Sequence, residues 1–211
     1  MTRARDVASQ IANLSYVNNG ANWVDPTHIE PFSKGSLMLA GTGGVTLYTA
    51  ANRSMILFQA NKTLTISNLS IWITTAGALV SPTYAKLALY TYNPSANTAT
   101  LVARTANDTT LLSAAGLKTL PLSITGGYPA TFTVNAGTTY GFVILSDGTS
   151  AGGTILGLGT STLPTLLLNS YLTGGSPASG IPFGGQTTAA DTPTPVNLSA
   201  LATGFPWFRL S

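Results

Sequence analysis

From about residue 45 to 160, apolar and polar residues follow one another in short runs with the two-residue period of a half-buried strand, and none of these runs keeps a helical period. The runs are Val45–Tyr48, Met55–Gln59, Thr63–Ile66, Leu69–Thr74, Ala85–Tyr92, Ala99–Arg104, Thr119–Ile124, Thr131–Val134, Thr139–Leu145 and Thr154–Leu158. Leu87 and Leu89 share a face opposite Ala88, Tyr90 and Tyr92, while Tyr140, Phe142 and Ile144 share another, as do Phe132 and Val134. Between Thr63 and Thr74 the parity slips. Leu64 and Ile66 are even, Leu69, Ile71 and Ile73 odd, which predicts a turn or bulge at Ser67-Asn68. Turn residues separate the runs. Asn93-Pro94-Ser95-Ala96-Asn97 and Asn135-Ala136-Gly137 each predict a hairpin. Many short strands with frequent turns predict a mainly β chain, an antiparallel β-sandwich or barrel.

The flanks have a different texture. In residues 2–14, Ala4, Val7, Ala8, Ile11 and Leu14 recur at three-and-four spacing behind a Thr2 cap, which predicts a short α-helix. A helix that short is marginal alone, so the face of Val7, Ile11 and Leu14 needs a surface to pack on. Residues 15–50 form a turn-rich connector punctuated by Asn18-Asn19-Gly20, Asp25-Pro26, Glu30-Pro31 and Gly41–Gly44. Residues 160–205 are rich in Gly, Pro, Ser and Thr around Leu166–Leu168, and Pro206–Leu210 predicts a closing strand that turns Phe208 and Leu210 inward. The expected division is an N-terminal helix and extended arm over 1–50, then one β-domain over 51–211.

Charge changes the picture most. Asp, Glu, Lys and Arg make up 7% of the 211 residues, against about 25% in ordinary soluble domains. Net charge keeps copies of a protein apart, so a surface of Thr, Ser, Asn and Gly predicts a chain that associates, as a homo-oligomer or within a larger assembly. The formal charge is +3, but the nine basic residues are scattered from Arg3 to Arg209, and no Lys/Arg cluster offers a phosphate-binding stripe; nucleic acid is not an expected partner. No stretch reaches the roughly 18 apolar residues of a membrane helix. The residues after Arg3 and Arg5 do not form the apolar segment of a secretion signal, so the expectation is assembly in a cytoplasm.

Candidate chemistry is sparse. There is no cysteine, which removes disulfides, thiolate nucleophiles and Cys-ligated metal. His28 lies near Asp25 and Glu30 in a proline-bounded loop, which predicts a polar loop and no metal, since a usable site needs three or four converging ligands. Gly148-Thr149-Ser150-Ala151-Gly152 matches the pattern of a hydrolase nucleophile, but a β run follows it and no histidine comes later in the chain; the expected structure is a turn between strands. The six acids, Asp6, Asp25, Glu30, Asp108, Asp147 and Asp191, form no motif for glycoside cleavage, and the glycine-rich pieces lack the Lys of a phosphate loop. The expectation is a non-enzyme without cofactor or metal. Trp23, Tyr84, Tyr90, Tyr92, Tyr128, Tyr171 and Trp207 could offer stacking faces to a sugar, though aromatics in a sandwich more often fill the core.

The opening Thr2-Arg3-Ala4-Arg5-Asp6-Val7-Ala8 resembles the start of many bacteriophage tail-fibre and related virion proteins. The order of elements is similar too: Met55-Ile56-Leu57-Phe58, Leu69–Ile73, the Lys86–Tyr90 strand, Leu101-Val102, the Ala136–Tyr140 turn-and-strand, and a Gly/Pro-rich close over 174–211. That resemblance covers residues 2–10 and about 55–211, and it departs from long fibres in having no internal repeat. It implies a jelly-roll-like sandwich in a virion structural protein (tail fibre, short spike or minor tail component). It further implies a homotrimer. The Val7, Ile11 and Leu14 face, which must pack either on its own domain or on another chain, is the expected anchor to other virion proteins. The alternatives are an adhesin module for a host-surface glycan, or a capsid decoration or head-fibre protein.

Overall fold

The computed structural model of the chain describes residues 45–46, 53–60, 62–146, 149–151, 153–155, 157–159, 183–187, 196–197, 200–201 and 204–211. The helix expected over 2–14, with Val7, Ile11 and Leu14, lies outside the described residues, as does the His28 loop. Among the described residues every regular element is a strand, and every pairing is antiparallel.

In chain order the strands are β1 (Val45–Thr46), β2 (Arg53–Gln59), β3 (Leu64–Ile66), β4 (Asn68–Thr75), β5 (Ala78–Val80) and β6 (Ala85–Asn93). There follow β7 (Thr98–Arg104), β8 (Gly116–Pro121), β9 (Phe132–Val134), β10 (Thr139–Ser146), β11 (Thr149–Ala151) and β12 (Thr154–Ile155). The last are β13 (Gly157–Gly159), β14 (Phe183–Thr187), β15 (Val196–Asn197), β16 (Ala200–Leu201), β17 (Gly204–Pro206) and β18 (Phe208–Leu210).

A seven-stranded sheet runs in the order β15-β7-β6-β10-β2-β14-β16. A five-stranded sheet is built on β4, whose eight residues pair with β8 along one edge and with β18 and β12 in succession along the other, β1 lying beyond β12. The pairs β3–β9, β5–β11 and β13–β17 complete the set.

The alternation seen in the sequence decides what lies between the two sheets. Ile56, Phe58, Leu87, Leu89, Tyr140, Phe142 and Ile144 from the larger sheet meet Leu69, Ile71, Ile73, Phe208 and Leu210 from the smaller in one buried cluster. Phe208 is central to it. Its ring stacks on Phe142 at 4.4 Å and tilts against Phe58 at 4.9 Å, geometries that add about 0.5–1.5 kcal/mol per pair beyond area burial.

The larger sheet is apolar on its other face as well. Met55, Leu57, Ala88, Tyr90, Tyr92, Ala99, Leu101, Val143 and Leu145 form a second buried cluster. Two local devices serve that face. A bulge opposite Leu89/Tyr90 leaves Val102 without a partner, so Ala103 turns to the inter-sheet core while Leu101 and Arg104 sit on the second face. Gly141 faces Met55, whose Sδ would lie 2.4 Å from an added Cβ; only glycine lets that thioether cross the strand.

Three expectations meet a different outcome. The strand expected over Thr119–Ile124 begins and ends earlier, at Gly116–Pro121. Pro121 has no N–H to extend the ladder, Leu122 makes an isolated bridge to Thr105, and Ile124, 70% exposed, lies just ahead of the turn at Thr125-Gly126. The segment Asn135-Ala136-Gly137 makes a tight turn, with Gly137 at φ +79°, but no hairpin. Strand β9 pairs with β3 while β10 pairs with β2 and β6, so the chain changes sheets there. Finally, Thr149–Ala151 is a strand paired with β5, not the turn its glycines suggested.

The parity slip has a clear cause. β3 and β4 are separated at Ser67, where the chain changes partners from β9 to β8 and β18, and the Ser67 and Asn68 N–H groups both donate to the Ser211 carbonyl.

Candidate interaction surfaces

No catalytic constellation assembles among the described residues. Asp108 is the sole carboxylate side chain there, and it is committed to structure. Lys118 Nζ lies 2.8 Å from its Oδ2, and its Oδ1 accepts from the Thr110 hydroxyl and N–H. Burial alone would raise the Asp108 pKa, but the bonds from Lys118 and Thr110 outweigh it and hold the carboxyl below its usual range. No group of three or more His, Cys, Asp or Glu side chains that could hold a metal is found among the described residues. Ser150 lies in β11 opposite Leu79, on a strand rather than at the strand-to-helix elbow a nucleophile needs. His28, Asp25, Glu30, Asp6, Asp147 and Asp191 lie outside the described residues.

The aromatic candidates divide by position. Tyr90 and Tyr92 are buried in the second-face cluster, the Tyr92 hydroxyl donating to Asn97 Oδ1 at 3.0 Å, with burial raising its pKa. Trp207 is 1% exposed. Tyr84 and Tyr128 are half-buried against the margin of that cluster, each beside a cation. Lys86 Nζ sits 5.7 Å from the Tyr84 ring, and the Arg104 guanidinium 4.7 Å from that of Tyr128. Arg104 also donates to the Thr125 carbonyl at 2.9 Å and fills the space beside Gly126, where an added Cβ would stand 2.6 Å from its nitrogen. This clamp pins the 123–128 turn to the sheet. Trp23 and Tyr171 lie outside the described residues.

A surface that the sequence analysis did not single out lies on the outer face of the smaller sheet. Since Leu69, Ile71 and Ile73 point into the core, Ser70, Trp72 and Thr74 point away from it. The register sets Thr119 and Arg209 on either side of Ser70, and Leu117 beside Trp72. Ser70 and Thr119 share a hydroxyl hydrogen bond of 2.9 Å, and Thr74 and Thr154 one of 2.7 Å. Leu117 is 41% exposed, and Trp72 and Arg209 are half-buried. The signal was present in the alternation of Leu69–Ile73, which leaves Trp72 on the face opposite the isoleucines.

Comparison of the chain with protein-family models and with curated proteins found no match.

Proposed function

We propose that this chain is a non-enzymatic structural protein of a bacteriophage virion, a tail fibre, short spike or minor tail component. In this reading the two sheets form a jelly-roll-like sandwich, and residues 1–50, of which Val45–Thr46 pair with β12, form the arm that joins it to other virion proteins. The observation that carries it is the pairing of an antiparallel β architecture with a chain only 7% charged. A surface so poor in charge offers little electrostatic resistance to packing against copies of itself, and a homotrimer is the assembly the resemblance implies. The virion, assembled in the bacterial cytoplasm, is then its location.

Deleting residues 1–14 tests the assignment. The strands that carry the core begin at residue 45 or later, so the truncated chain keeps its fold, read by circular dichroism and thermal melting. It no longer enters particles, because the Val7, Ile11 and Leu14 face that meets the partner is gone. A truncated chain that unfolds makes that face part of the core. One that folds and still enters particles places the anchor elsewhere.

A second reading has its own support. On the outer face of the smaller sheet the half-buried Trp72 stands beside the exposed Thr74–Thr154 hydroxyl pair, which suits a glycan-binding adhesin.

A further inference from the structure

No further inference is drawn: the strongest candidate, the outer edge of β8 in the five-stranded sheet, carries nothing, because nothing in the structure shows what covers it.

Discussion

Phe208→Ala tests whether the last strand closes the core or merely lies against it. The ring is fully buried and contacts Phe142 and Phe58 from the opposing sheet at 4.4 and 4.9 Å. Truncation removes both ring contacts and leaves a cavity between two sheets whose hydrogen-bonded ladders limit collapse, so the expected loss is about 3–5 kcal/mol. For a chain of 211 residues each kcal/mol lowers the melting temperature by about 2–4 °C, giving a fall of about 6–20 °C. Ile124→Ala is the matched control. Its side chain is 70% exposed beside a turn, and its effect stays within about 0.5 kcal/mol. Urea unfolding followed by tryptophan fluorescence gives both values. If Phe208→Ala costs less than about 1 kcal/mol, the two sheets are not held together through this ring and the account of the core is wrong.

Other consequences follow from single sites. Asp108 has a lowered pKa in the folded chain, so its pairing adds stability above the unfolded carboxylate value of about 3.9 and loses it as pH falls through the folded value. Asp108→Asn should therefore flatten the acid side of the stability–pH curve below about pH 4 and leave its alkaline side unchanged, as measured by melting across pH. Gly141→Ala should cost about 1–3 kcal/mol through its clash with Met55, and the cost should shrink in a Met55→Ala background, where denaturation of the double variant reads the coupling.

The long runs were legible because their chemistry is local. Ala85–Asn93, Thr98–Arg104 and Thr139–Ser146 carry strong alternation and sharp turn residues, and the Asn93–Asn97 turn forms as expected, with Asn93 Oδ1 accepting from the Ser95 and Ala96 N–H groups. The closing strand was legible for the same reason. What the pattern could not show was partner choice. β9 and β10 are neighbours in sequence joined by a good turn, yet they enter different sheets, because a tight turn can reverse a chain without pairing its arms. Strands such as Phe183–Thr187 escaped notice because two central glycines erase their alternation, and their place is set by the backbone of β2. Arg209 and Trp72 were missed because only the register brings them onto adjacent strands.

The burial of the larger sheet on both faces directs attention to the smaller one. Antiparallel sheets commonly keep one face in water, and alternation then marks the wet side with polar residues. Here β10 is apolar at successive positions from Tyr140 to Leu145, apart from Gly141, and these residues are buried whichever way they point. A ligand that reached Tyr90 or Val143 would have to displace packed side chains, at about the cost of opening a core. On the smaller sheet the alternation survives only in part. Leu69, Ile71 and Ile73 are buried, and so is Ser70 on the other face, while Trp72 is half-buried and Thr74, Leu117 and Thr119 are exposed.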